Sequence, residues 1–281
     1  MNIPILLFLC SLNISTAPAI NPSLDTANAR IYIIGVFHFG NQLQKVDSLL
    51  AILNDVKPDL ILSETDTLSG YFTKDYQLVQ PPGWYKLANK RRLARKLYPE
   101  DEVLYAYREQ DPNVSIHPFD IPIPNRNKYV KKMVNNEQAF IDKLKKAHRK
   151  GKIPAALDSA YKTYISLMDF YRNNIDKGYR QLNQKEMVDS SRTIVQLEKD
   201  FSRTFVDNIP EMARYKDWQY QYYREWELRN ETMAQNIERF IHKTKAKRVV
   251  VLTGMLHKYY LTDLLGQGEA GNKFVLVEYF K

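Results

Sequence analysis

Cysteine is almost missing from this sequence: the one copy, Cys10, lies in an uncharged N-terminal stretch running from Met1 to Ile20. Within it, Ile3-Pro-Ile-Leu-Leu-Phe-Leu-Cys10 is apolar and Ser15-Thr-Ala-Pro-Ala19 is small and polar, which resembles a signal peptide cut near Ala17 or Ala19, although the usual basic start is lacking. The expected layout is a signal at 1–19 and one domain at 20–281, secreted or periplasmic. Lipid anchoring at Cys10 is the competing reading, opposed by the bulky Leu7-Phe-Leu9 where a lipobox needs small residues. A mature chain without Cys10 has no thiol, which excludes disulfides, thiolate zinc and a cysteine nucleophile. No apolar run approaches the ~20 residues that a membrane-spanning helix needs, so no transmembrane segment is expected. There is no Gly-x-Ser-x-Gly, which removes the serine-hydrolase elbow.

Negative charge is also in deficit, with 32 Asp and Glu against 41 Lys and Arg, for a net charge of +9. Such an excess suits nucleic acid or anionic surfaces. The cations, however, alternate with acids along helical stretches, and the densest group, Lys143 to Lys152, reads as a solvated helix end where cations complement the dipole. No nucleic-acid partner is expected.

What is present is a pair of matching strand ends. Ala29-Arg-Ile-Tyr-Ile-Ile-Gly-Val-Phe-His38 and Arg248-Val-Val-Val-Leu-Thr-Gly-Met-Leu-His257 both run from an apolar strand into Gly-x-x-His. Continuous Val/Ile/Leu runs read as buried parallel strands, and ligands of open α/β sheets collect beyond the carboxyl ends of such strands. Gly35 with His38 and Gly254 with His257 are therefore candidate site residues. Taken singly, each glycine reads equally well as a strand end and each histidine as a polar helix start.

Between the two motifs, Val46, Leu49, Leu50, Leu53 and Val56 recur at helical spacing and stop before Lys57-Pro58. Asp59-Leu-Ile-Leu-Ser-Glu64 is a second buried strand ending in a carboxylate, so strand, helix and strand describe a right-handed βαβ unit with Glu64 on the same edge as His38. The pattern loosens from Thr65 to Asn113, apart from a basic helix at Lys86 to Tyr98. Val114 to Asp120 is a third strand candidate; Pro118 marks it as an edge or terminal strand and Asp120 closes it. His117, inside that strand, reads as structural. Asn127 to Ile241 is rich in helix formers, predicting helices at about 127–150, 156–177, 184–207 and 211–243, an insertion at about 127–243 expected to lie over the strand mouths. Tyr161, Tyr164, Ile165, Met168 and Tyr171 form an apolar stripe on the second of these, and Leu228, Met233, Ile237, Phe240 and Ile241 are expected to bury the last, with Arg229 and Asn230 at its margin. A strand at 248–253, a helix at about 256–265 and a strand at Lys273 to Phe280 complete the chain. The fold class is α/β, with a mainly parallel sheet, flanking helices and a large helical insertion.

Two Gly-x-x-His motifs, a strand-end glutamate and Arg229-Asn-Glu-Thr-Met-Ala-Gln-Asn-Ile237, in that order, resemble the TraB/GumN/Tiki family, within the wider group of erythromycin esterases and ChaN-like proteins. The middle of the chain, roughly 67 to 220, matches nothing in that pattern and marks a divergent member. The resemblance implies a pocket at the strand ends and hydrolytic chemistry, as in metal-dependent Tiki proteases and lactone-opening esterases, or haem binding, as in ChaN-like members.

The residue chemistry agrees with hydrolysis. Two imidazoles and a carboxylate, His38, Glu64 and His257, form a ligand set for manganese, cobalt or zinc that leaves a position for water. Arg229 suits a developing oxyanion or a substrate carboxylate. Without a metal, either histidine serves as general base, with Glu64 orienting it. The expected catalytic residues are thus His38, Glu64, Arg229 and His257, and the expected binding residues Gly35, Asp120, Asn230 and Gly254. The partner is a peptide or ester substrate. The alternatives are a non-catalytic ligand-binding protein, with haem as its cofactor, and a regulatory or interaction protein on the same fold.

Overall fold

The computed structural model describes residues 29–37, 42–69, 71–79, 99–175, 177–267 and 274–280. The predicted signal, His38, the basic helix at 86–98 and most of the glycine-rich turn at 266–271 lie outside these residues.

The strands are β1 (Ala29–Val36), β2 (Leu60–Ser63), β3 (Ser115–Pro118), β4 (Arg248–Gly254) and β5 (Phe274–Leu276), all parallel in the order β3-β2-β4-β1-β5. Each apolar run became a strand because both faces are covered. Ile34, Val36, Ile61, Val250 and Leu252 pack on one side with α1 (Gln42–Val56) and α2 (Pro99–Gln110). Ile31, Ile33, Leu60, Leu62, Val249 and Val251 pack on the other. With ~1.5–3 kcal/mol for each such side chain taken from water, the two faces dominate the stability of the sheet.

Four long helices follow β3, joined by short connections: α3 (Arg126–Arg149), α4 (Ala155–Asn174), α6 (Lys185–Asn208) and α7 (Lys216–Thr244). A single turn, α5 (Tyr179–Leu182), precedes α6, and a 3-10 turn, Pro210–Tyr215, precedes α7. Tyr161 and Tyr164 of α4 are buried, and Ile165, Met168 and Tyr171 pack beside them in a core shared with α3, α6 and the 3-10 turn. α7 belongs to two cores. Trp218 packs with the helical layer, whereas Met233, Ile237, Phe240 and Ile241 lie against the sheet with Leu261 and Leu265 of α8 (Met255–Gln267).

Three expectations change. Leu228 is 61% exposed, so the buried face of α7 is carried by Met233, Ile237, Phe240 and Ile241 without it. The stretch before Asn113 holds a helix, α2, which opens with Pro99 and three acids, Glu100, Asp101 and Glu102; proline suits a first turn and carboxylates complement its dipole. The last strand is shorter than predicted, Phe274–Leu276, because β1 offers it partners only at Ala29 to Ile31.

Above those partners, β1 has an open edge, and a side chain fills it. Asn183, buried, accepts a hydrogen bond from Gly35 N–H at 2.7 Å and donates from Nδ2 to Gly35 C=O at 2.9 Å. Gly35 has no Cβ for packing reasons: one would stand 2.6 Å from Met255 Sδ and 3.2 Å from Asn183 Oδ1. Lys258 Nζ, also buried, reaches Asn183 Oδ1 at 3.0 Å and both oxygens of Glu278 at 3.1 Å.

Candidate functional site at the carboxyl edge of the sheet

The helices that follow β2 and β4, two adjacent strands, lie on opposite faces of the sheet: α2 packs on one and α8 on the other. That is the topological switch point, where doubly wound sheets open a crevice at the carboxyl ends of their strands. Glu64 follows β2 directly, its backbone N–H still donating to Leu252 C=O on β4 at 3.0 Å. Asp120 ends the chain leaving β3, its N–H donating to Thr65 C=O at 3.1 Å. Thr253, Gly254 and His257 come from the end of β4 and the first turn of α8.

Glu64 links the end of β4 to α7. Its Oε2 accepts from Gly254 N–H at 2.6 Å and from Thr253 Oγ1 at 2.8 Å, which seats the carboxylate at the N-terminus of α8, where the helix dipole favours a negative charge. Its Oε1 accepts from Arg229 Nη2 at 2.6 Å. Arg229 descends from α7 and grips Asp120 with two parallel hydrogen bonds, Nε to Oδ1 at 2.9 Å and Nη2 to Oδ2 at 2.7 Å. Burial alone would lower the pKa of this guanidinium, but Glu64 and then Asp120 more than offset that and hold it above the ordinary arginine value.

Arg229 Nη1 meets His257 Nε2 at 3.1 Å. The tautomer is set by the neighbours: Asn230 Nδ2 donates to Trp226 C=O at 2.7 Å, so Asn230 Oδ1 faces His257 Nδ1 at 2.7 Å and accepts its hydrogen bond. His257 Nε2 then presents a lone pair to Arg229 and stands 3.5 Å from Glu64 Oε1. The Trp226 ring stacks on the imidazole at 5.5 Å.

The structure thus brings Glu64, Asp120, Arg229, Asn230, Gly254 and His257 together. Asn230, fully buried, orients the imidazole and does not face an open cleft. Gly35 sits apart, packed on Met255 and Asn183. His38 lies outside the described residues. His117 is elsewhere: its Nδ1 is 2.8 Å from Tyr76 C=O and its ring stacks on Phe240 at 4.7 Å.

Sequence reasoning missed Arg126, Asp66 and Thr253. Arg126 Nη2 reaches Asp120 Oδ2 at 2.6 Å and Nη1 reaches Asp66 Oδ2 at 2.9 Å, so two guanidiniums flank one fully buried carboxylate. The signal for them was the spacing Glu64-x-Asp66, which repeats an acid two residues past a strand end, and an arginine just beyond the proline-rich turn after Asp120.

The expected metal ligands fit an ion poorly as they stand. Glu64 turns Oε1 to Arg229 and Oε2 to Thr253 and Gly254, and His257 turns Nε2 to Arg229, so a guanidinium occupies the place where a metal would gather these lone pairs. Among the described residues, no three His, Cys, Asp or Glu side chains are grouped so as to hold a metal ion. Haem meets the same obstacle at His257, whose two ring nitrogens face Asn230 and Arg229.

No protein-family profile and no curated protein matches this sequence. Among solved structures, the chain is similar to an erythromycin esterase, EreC, a histidine-to-asparagine variant in its open conformation, at 13% identity and a TM-score of 0.31, covering 81% of this chain and 61% of that one. The chain therefore spans less than two-thirds of the length of that protein. No helix among the described residues is long and apolar enough to cross a membrane.

Proposed function

We infer that this chain is a hydrolase of esters or amides whose reacting centre lies at the switch point between β2 and β4. One observation carries the reading: Asp120, Glu64 and His257, from three adjacent strand ends, converge on the single guanidinium of Arg229. In this mechanism the carbonyl oxygen of the substrate takes over Arg229 Nη1 from His257. That frees the Nε2 lone pair, whose tautomer Asn230 fixes, to accept a proton from an attacking water. Arg229 balances the charge that develops on the carbonyl oxygen, and the protonated imidazole returns its proton to the departing alcohol or amine. Glu64 holds Arg229 and lies close enough to His257 to favour the imidazolium.

The TraB/GumN/Tiki resemblance enters only through Glu64, Arg229 to Ile237 and Gly254 to His257, and His38 joins the reading from sequence alone. Export, with the N-terminal segment removed, belongs to the same proposal and is read from the mass of the natively expressed protein.

The test is turnover of a panel of p-nitrophenyl esters and chromogenic peptide amides by purified protein, with and without added manganese, cobalt or zinc. Hydrolysis that falls by about a hundredfold or more in kcat/KM in His257→Gln and Glu64→Gln supports the reading, in line with the usual worth of a general base. Absence of turnover, or turnover that both variants retain, overturns it. A second reading, ligand binding without catalysis, is favoured by the closure of the network, in which each polar group of the cluster already has a protein partner; a Soret band on loading with haem would identify that case.

A further inference from the structure

Trp226, whose ring stacks on His257, also lines a cavity outside the strand-end cluster. Helices α6, α7 and α8 meet there, and each contributes to the lining: Arg192 and Lys199 from α6, Trp226 and Glu227 from α7, Tyr259, Tyr260 and Asp263 from α8. The cavity encloses about 340 Å³, inside the range of roughly 300–1,000 Å³ that small-molecule pockets occupy. Successive residues of a helix point about 100° apart, so of the two adjacent tyrosines Tyr259 is buried and Tyr260 is half-buried.

Two properties of the lining define what fits. Its charges cancel in pairs that bridge the helices: Arg192 grips Asp263, Nε to Oδ2 at 3.2 Å and Nη2 to Oδ1 at 2.7 Å, and Lys199 pairs with Glu227. A charged ligand would have to break one of these pairs, which selects a neutral one. The rings, in turn, form a corner. Trp226 and Tyr259 lie within 25° of parallel, whereas Tyr260 stands across them at 82° and 75°. A flat ring set parallel to Trp226 is thereby perpendicular to Tyr260, so that offset stacking and an edge-to-face contact, the two arrangements aromatic pairs prefer, are available at once. A saturated ring of the same size gains the buried area without those contacts.

We propose that this cavity binds an uncharged aromatic ring, which, resting on the hydrolase reading above, is the ring of an aryl-bearing acyl or leaving group of the substrate. Trp226 ties the two places together: it lines the cavity and stacks on His257 at 5.5 Å, so a ring seated here is separated from the general base by one indole. A cation, the other guest that aromatic walls attract, is disfavoured by Arg192 and Lys199 in the same lining, and Arg192 already lies over the Tyr259 ring at 5.4 Å.

The probe is benzyl alcohol, titrated into the full-length protein and read by saturation-transfer NMR, with cyclohexylmethanol, benzoate and methyl β-D-glucopyranoside as its saturated, charged and sugar counterparts. Saturable binding of benzyl alcohol is expected, about threefold to tenfold tighter than that of cyclohexylmethanol, which is the worth of a ring-to-ring contact beyond the area buried. Tyr260→Ala should weaken it by a similar factor. Gln196→Trp, at an exposed position of α6 that lines the same cavity, should block it by filling the space, so the result does not depend on one variant folding. These readings need no turnover. Among p-nitrophenyl esters, the phenylacetyl ester should exceed the cyclohexylacetyl ester in kcat/KM, and both variants should bring that ratio towards one. Benzyl alcohol binding that both variants lose, in a protein that hydrolyses no ester, supports the aromatic site and removes only the hydrolase reading. Absence of saturable benzyl alcohol binding, equal affinity for cyclohexylmethanol, preference for benzoate or the glucoside, or binding that both variants retain overturns the aromatic site, whether or not esters are hydrolysed.

Discussion

Asn183 pairs with Gly35 as a sixth strand would, accepting from its N–H at 2.7 Å and donating to its C=O at 2.9 Å. One side-chain amide thereby completes the exposed upper edge of β1, next to the strand end that precedes the first Gly-x-x-His.

Replacing Asn183 by leucine strands two buried groups at once, the backbone N–H and C=O of Gly35, while Lys258 loses one partner and keeps Glu278. At ~1–3 kcal/mol for each unsatisfied group, the expected loss is at least about 2 kcal/mol, measured by urea denaturation. Gly35→Ala should cost about 1–3 kcal/mol by overpacking against Met255. A loss below about 0.5 kcal/mol in both variants, the range of ordinary surface changes, would show that this edge needs no partner.

Arg229 neutralises two acids, so its loss should be structural as well as functional. Arg229→Met leaves Glu64 and Asp120 facing each other with only Arg126 beside the latter, and the expected cost is about 3–5 kcal/mol. Arg229→Lys keeps the charge but not the fork and should cost distinctly less. Equal losses in the two variants would mean that geometry, not charge, is what the cluster requires.

His117 should make stability depend on pH. Burial, aided by Lys243 and Arg108 and opposed by the hydrogen bond to Tyr76, holds its pKa below the ordinary histidine value. The unfolded chain therefore takes up a proton at higher pH than the folded one. The His117 contribution is complete above the unfolded pKa of ~6.5 and is lost as pH falls through the lower folded value. His117→Phe, which keeps the stack on Phe240, should flatten the decline of stability below about pH 6.5 in urea titrations. An unchanged slope would assign the decline to other groups.

Much of the fold was legible because β1, β2 and β4 are covered on both faces, and burial of that kind leaves unbroken apolar runs. The placing of Glu64, Asp120 and His257 near one another came from the same fact, since parallel strands deliver their ends to one edge. Leu228 was misread because helical spacing names a face but not where along a helix the neighbouring core stops; at Leu228, α7 is passing between its two cores. Helix α2 was hidden by Glu100, Asp101 and Glu102, whose polarity masks the buried Val103, Leu104 and Tyr107. The hydrogen bonds Arg126 to Asp66 and Asn183 to Gly35 join residues 60 and 148 positions apart, and no local pattern announces such partners.

α7 carries the last consequence. Its far end is keyed to the sheet by Met233, Ile237 and Phe240, its near end to the helical layer by Trp218, and Arg229 reaches the strand ends from between them. Each residue inserted into a helix rotates its remaining turns by about 100° and displaces them by about 1.5 Å along the axis. A single insertion or deletion between Trp218 and Met233 would therefore rotate Arg229 away from Glu64 and Asp120, or unseat one of the two cores. Related chains that keep this arrangement should hold that fifteen-position interval invariant in length, while gaps gather in the connections outside it.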